Sequence, residues 1–302
     1  MGATSVVCCG LTTLDVTQVV DRVPGADEKV VAHSLAVEVG GPAANAARTA
    51  ATLGRSTTLV TALGSGPLAG LARDELVAAG VAVVDLADDG DPPVSTVLVT
   101  RGTGERAVVS TNAVGRAVAT PAPEVLDGAA VLLVDGHLLA AQTALAGAAR
   151  ARGTTVVLDG GSWKDGLDDL LPHVDLAVLS ADFLPPWLDS DAGTERRDAE
   201  VLTAVAGRGP RLVARSHGGS PVSVLHEGAF LELPVPAVEV VDTLGAGDVL
   251  HGAVTAALAS GAAWADALAR GVEVASLSVG HAGAMGWAAD LQDRVGRLRA
   301  GD

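Results

Sequence analysis

VVDTLGAGDVLHGAVTAALA, residues 240–259, runs from an apolar strand end through a turn of small residues into an Ala-rich helix. Gly245, Ala246 and Gly247 let a backbone approach an anion closely. The free N–H groups and the dipole at a helix start favour negative charge there. Asp248 lies in the same turn and is a carboxylate able to take a proton from a hydroxyl. One short segment therefore offers an anion hole and a base, which suits phosphoryl transfer, a reaction governed by positioning and charge stabilisation. The same letters also suit a plain tight turn with Asp248 as helix cap, so the rest of the chain has to decide.

Working outward, the pattern predicts a strand at 130–134, then others at 155–158, 175–179 and 211–215. Between them helices are expected at about 140–151, 165–171 and 195–206. Buried strands alternating with helices argue for a parallel sheet covered on both faces. A strand pair at 221–233 and helices at 247–260 and 262–280 complete the chain. Nearer the N-terminus come a strand at 5–11, a helix at 43–53 opened by Gly40-Gly41-Pro42, a strand at 57–62, a helix at 68–79 and a strand at 81–86. Two stretches differ. Residues 15–39 and 95–111 alternate apolar and polar residues, which reads as half-exposed antiparallel strands. The expected fold is a doubly wound, mostly parallel α/β sheet flanked by helices. The expected organisation is one domain over 1–302, with a small β-sheet lid from insertions at about 12–39 and 94–112. Ligands of such sheets bind beyond the carboxyl ends of the strands, and a lid suits chemistry that must exclude water.

Composition removes several alternatives. The chain has 302 residues, no Tyr, two Phe and four Trp, too few aromatics for single-stranded nucleic acid stacking. A formal net charge of −16 repels phosphate backbones and anionic membranes. Nucleic-acid and membrane partners are therefore not expected, and a cytoplasmic location is. Cys8 and Cys9 are adjacent in an apolar run and suit a buried strand. The seven His show no metal-ligand spacing. A G-x-G-x-x-A string at 102–107 sits in a hairpin turn rather than before a helix, and no P-loop string is present.

The segment Asp242-Thr243-Leu244-Gly245-Ala246-Gly247-Asp248 resembles the C-terminal signature of the ribokinase-like (PfkB) carbohydrate kinase family. A second signature, a Gly-Gly pair before an Asn-bearing helix, resembles VGGPAANAARTAATLG at 39–54. GLTTLDVTQVVDRVPG at 10–25 resembles the family's first strand. VDGHL at 134–138 and VVLDGGSW at 156–163 look nearest the ketohexokinase and sulfofructose kinase branch. The resemblance covers essentially the whole chain.

What it implies is an ATP-dependent transfer of the γ-phosphate to a hydroxyl of a small sugar or sugar-like molecule. Asp248 would be the catalytic base and Gly245, Ala246 and Gly247 the anion hole. Asp15, Gly40, Gly41 and Asn45 would hold the acceptor, with His137 at the pocket edge. Thr243, Ser216, Gly218 and Ser180 would line the nucleotide site. Asp159 would help hold Mg2+ through water, and a monovalent cation, K+ in many members, would sit near Asp242 and the 280–286 loop. A homodimer through the lids is implied as well. The chain departs from the family at Pro221, where a glycine is usual, and at Ser180, which replaces Asn and has no Glu three residues on. LGSGPLAG at 63–70 lacks an Asp usual in that loop. A nucleoside kinase of the same family and a non-catalytic sugar- or nucleotide-binding protein on this fold are the competing readings.

Overall fold

The computed structural model describes residues 4–291 apart from 114 and 189–192, and for residue 195 the backbone only. The first three and last eleven positions of the expected domain lie outside the described residues. In chain order the elements are β1 (Ser5–Cys9), β2 (Thr13–Val20), β3 (Ser34–Gly40), α1 (Pro42–Thr52), β4 (Thr57–Thr61), α2 (Pro67–Ala78) and β5 (Val81–Asp85). Then come β6 (Val94–Thr100), β7 (Arg106–Ser110), β8 (Ala129–Val134), α3 (Leu139–Arg152), β9 (Thr155–Gly160), α4 (Leu167–Leu170) and β10 (Leu176–Leu179). The chain ends with α5 (Thr194–Ala206), β11 (Leu212–His217), β12 (Ser220–His226), β13 (Ala229–Leu233), α6 (Ala246–Ala259) and α7 (Trp264–Ser278).

Nine strands form one sheet in the order β13-β12-β11-β10-β9-β8-β1-β4-β5. Pairing is parallel from β11 to β5, and β12 and β13 add an antiparallel edge. The period of two along β1 explains the layering. Val6 and Cys8 join the core under α1, α2, α6 and α7, whereas Val7 and Cys9 join the core under α3, α4 and α5. Both thiols are fully buried, and loss of solvation pushes their pKa values up.

A second sheet of four strands, β3-β2-β6-β7, stands apart. Its two contributing segments meet through β2 and β6, which run parallel, while β2–β3 and β6–β7 are antiparallel. The segment expected as a helix at 165–171 is one α-turn, Leu167–Leu170, followed by a 3-10 turn from Leu171 to His173. Pro172 cannot donate into a continuing α-helix, which accounts for the early stop.

Helix α6 lies between α1 and α7, and two of its contacts demand glycine. A Cβ at Gly252 would lie 2.5 Å from the Ala46 carbonyl oxygen and 2.6 Å from the Thr49 Cβ. On α7, a Cβ at Gly271 would lie 2.5 Å from Val254 Cγ2. Buried alanines along α1 (Ala43, Ala46, Ala47 and Ala50) bring that helix equally close. Ala has a helix propensity about 1 kcal/mol better than Gly, yet overpacking costs about 1–3 kcal/mol. With backbone as the obstacle, the second effect wins. Gly252→Ala is expected to lower the urea midpoint of unfolding; an unchanged or higher midpoint would mean that α1 and α6 are not in such contact.

Candidate active site

Strands β1, β8, β9, β10 and β11 end on the same edge of the large sheet, and Asp135, Asp159, Ser180 and Ser216 sit at or just past those ends. Helix α6 begins there. Its cap, Gly245, has φ 71°, and a Cβ on it would meet the Ala284 Cβ at 2.5 Å. Glycine is required on both counts. A Cβ at Gly247 would face open space, so the N–H groups of this turn are approachable. Asp248 follows in the first turn of the helix. Asn45, from α1, donates its Nδ2 to Asp248 Oδ2 at 2.8 Å.

The Gly-Gly pair has its own steric reasons. A Cβ on Gly40 would overlap the Asp15 carboxyl, 2.0 Å from Oδ2. Gly41 caps α1 at φ 97°, where a Cβ would meet the Leu11 carbonyl oxygen at 2.4 Å. Thr13 donates its hydroxyl to Asp15 Oδ1 at 2.7 Å. Beneath them lies Asp135, nearly fully buried. Its Oδ2 accepts the Leu11 N–H at 2.7 Å and the Ala43 N–H at 3.3 Å. Its Oδ1 accepts from Gln142 Nε2 at 2.7 Å and from the His137 N–H at 3.0 Å. Asp135 thus fixes the start of α1, and with it Asn45, to the ends of β1 and β8.

Three carboxylates, those of Asp135, Asp159 and Asp248, crowd this edge. Burial, then the Asp159 charge, pushes the Asp248 pKa up to about 7, against the pull of Asn45 and His251. Burial likewise raises Asp159. His251 sits between them. Its Nδ1 lies 2.6 Å from the Gly247 carbonyl oxygen and 3.3 Å from Asp159 Oδ2, and its Nε2 lies 3.0 Å from the Val178 carbonyl oxygen. Both ring nitrogens thus lie against backbone carbonyl oxygens.

On the other side of the turn lies a cleft of about 410 Å3, lined by Ser216, Gly218, Thr243, Ala246 and Gly247 and walled by apolar side chains including Val240, Leu250 and Val272. Asp242, at its edge, is fully engaged. Its Oδ1 accepts the Leu244 N–H and its Oδ2 the Gly283 N–H, each at 2.9 Å. Arg106, from β7 of the small sheet, also pairs with it.

With this geometry in view, the comparisons decide the family. The pfkB family carbohydrate kinase pattern matches residues 3–289. The chain belongs to the pfkB carbohydrate kinase family. It is 30% identical over 252 residues to the ATP-dependent ribose-1-phosphate kinase of Halopiger xanaduensis, covering 80% of this chain and 81% of that one. It is 34% identical over 142 residues to the 1-phosphofructokinase of Haloferax volcanii, covering 44% and 45%. The ribokinase of Arabidopsis thaliana, solved with ribose and ATP, superposes with a TM-score of 0.78 at 20% identity, covering 96% of this chain and 98% of that one. The Thermotoga maritima ribokinase gives 0.78 at 18%, covering 97% and 99%. At these identities the structural likeness bears on the fold, which is the ribokinase fold.

In this kinase the residues expected from sequence fall into groups. Asn45 and Asp248 are in direct contact, and Gly40 abuts Asp15. Ser216, Gly218, Thr243, Ala246 and Gly247 share the apolar cleft. Ser180 is not among its lining residues; its hydroxyl instead donates to the Gly161 carbonyl oxygen at 2.6 Å. His137 lines a separate cavity. Asp135 and Arg106 were not among the expected site residues. The Asp-Gly after the apolar run 131–134 was the available signal for Asp135; none marked Arg106 as a partner of Asp242.

Asn45 helps keep the Asp248 carboxylate charged. Asn45→Ala should therefore raise the Asp248 pKa above about 7. If Asp248 acts as base, the acid limb of the kcat/KM profile should move to higher pH. An unmoved limb would uncouple Asn45 from the base.

Proposed function

We propose that this kinase transfers the γ-phosphate of ATP to a hydroxyl of a small sugar or sugar derivative, with Asp248 as base. The observation that carries the reading is the Asn45–Asp248 pair at the start of α6, between the Gly40–Asp15 corner and the apolar cleft. The acceptor lies over Asp15, Gly41 and Asn45, and ATP lies in the cleft with its phosphates on the 245–247 turn. As the acceptor oxygen bonds to the γ-phosphorus, its proton passes to Asp248, the bond to the β–γ bridging oxygen breaks, and ADP leaves. The N–H groups of Gly245, Ala246 and Gly247 meet the charge on the transferring group. A base with a pKa near 7 is well matched to this task at neutral pH.

Among the described residues no group of three His, Cys, Asp or Glu could hold a metal. Mg2+ would offset the charge of ATP, and Asp159 is the side chain that fits it through water, since its buried Oδ2 makes no hydrogen bond and has His251 Nδ1 3.3 Å away. Asp242 fits a monovalent cation poorly, because Arg106 already supplies a positive charge there.

The four-stranded sheet is read as the lid of a single domain, and its outer face as a dimer surface. By the register, Leu35, Val37, Val16, Leu98 and Val109 share one face of it. Leu35, Val37 and Val109 are exposed. A second copy is the occupant we propose for this apolar face. No helix among the described residues is long and apolar enough to cross a membrane, and a cytoplasmic location goes with this reading. A nucleoside acceptor is the less favoured alternative, because the lid strands carry no aromatic residue on which to stack a base.

Asp248→Asn is expected to cut kcat by about 10²–10⁴-fold without lowering the melting temperature. An active Asp248→Asn enzyme would sink the mechanism. Light scattering after size exclusion should give a dimer for the wild type and a monomer for Val37→Lys/Val109→Lys; a monomeric wild type would remove the dimer.

A further inference from the structure

Asp242 stands just before the 245–247 turn and ties it to the segment after α7. Val241 and Asp242 both donate their N–H groups to the Val279 carbonyl oxygen, at 2.7 and 3.1 Å. The Asp242 carboxylate spans the gap that remains, accepting the Leu244 N–H on one oxygen and the Gly283 N–H on the other. Ala284, the next residue, is the one that a Cβ on Gly245 would strike. The shape of the turn is therefore set where Asp242 grips the backbone at 283.

A carboxylate in this place also has an electrostatic cost. Its charge lies close to N–H groups disposed to meet an anion, and a nearby negative charge opposes that anion. A counter-charge on Asp242 lets the turn keep both its shape and its potential. The family resemblance gives that place to a monovalent cation. Here Arg106 stands in it, paired with Asp242 Oδ1. The two side chains are only 26% and 23% exposed, so the pair is screened less than one on the surface. The register explains how Arg106 reaches Asp242. Ser95 is opposite Ser110 and Val99 is opposite Arg106, so residues 106 and 110 share one side of β7. Ser95 is also opposite Asp15, which puts Arg106 on the Asp15 side of the small sheet. A guanidinium is a permanent charge with a planar fork matched to a carboxylate. A free cation at Asp242 would meet like charge, and would have to displace a tethered group that loses no translational freedom on pairing.

We propose that Arg106 takes the part of the monovalent cation: it holds Asp242, and through it the 245–247 turn, so that phosphoryl transfer by this enzyme needs no K+. The proposal rests on the kinase reading and goes beyond it. Arg106 acts through Asp242 and is a positioning residue. It ties the anion-binding turn to a side chain of the small sheet instead of to the salt around the protein.

The test replaces K+ and Na+ by tetramethylammonium at constant ionic strength, with Mg-ATP and the acceptor that drives turnover. Wild-type kcat is expected to stay unchanged. Arg106→Ala should lose about 10- to 100-fold in kcat in tetramethylammonium, and K+ should restore part of the loss, because the vacated space opens Asp242 to a cation. In an Asp242→Asn background, Arg106→Ala should cost little more, because the two residues act as a unit. A wild-type enzyme that requires K+ would overturn the proposal. So would an Arg106→Ala enzyme with full activity, or one whose loss K+ leaves unchanged. Melting temperatures supply an arm that needs no turnover. K+ should stabilise Arg106→Ala more than tetramethylammonium does, and should leave the wild type alike in both salts. Selective stabilisation of the wild type by K+, or none of Arg106→Ala, would overturn the proposal. If no acceptor is turned over, the kinase reading fails and the melting comparison alone decides. Arg106→Gln, which keeps most of the stem, takes the place of Arg106→Ala if that variant does not fold.

Discussion

The close approach of α1 and α6 is the constraint on which the site depends. At Gly252 the two helices meet with a backbone carbonyl where a Cβ would otherwise be. That contact brings Asn45 to Asp248 across 203 positions of sequence. It also sets the α6 N-terminus against the strand ends, and the His251 side chain against β10. Small residues along both helices follow from this distance. The high Ala and Gly content reflects helices packed close to each other and to the sheet rather than a lack of specificity in the core.

The same closeness concentrates negative charge. Asp135, Asp159 and Asp248 face one edge of the sheet, and each is stabilised differently. Asp135 is saturated by backbone N–H groups and Gln142, and serves as structure. Asp159 keeps its Oδ2 without a hydrogen bond, 3.3 Å from His251 Nδ1. Asp248 has one side-chain donor, and burial pushes its pKa up to about 7. Environment therefore separates three chemically identical groups, one saturated by donors and two pushed toward the neutral form by burial.

Much of the fold was legible because buried parallel strands and amphipathic helices have distinct periods, and nearly every strand expected from 5–11 to 221–233 is present. The turn at 245–248 was legible because small residues before a helix leave a local signature. What could not be read were long-range pairings. Nothing in residues 94–110 says that β6 runs parallel to β2, since alternation fixes faces and not partners. Nor does the sequence around Arg106 mark its partner, which lies 136 positions away. The helix expected at 165–171 is shortened because Pro172 follows immediately.

The bridge from Arg106 to Asp242 joins the small sheet to the loop that leads into the turn at 245–248. Asp242 also receives the Gly283 N–H, so one carboxylate gathers three separate segments. Two molecules bound at different members of this trio would be linked through it: whatever factor the first added to the affinity of the second, the second would return to the first.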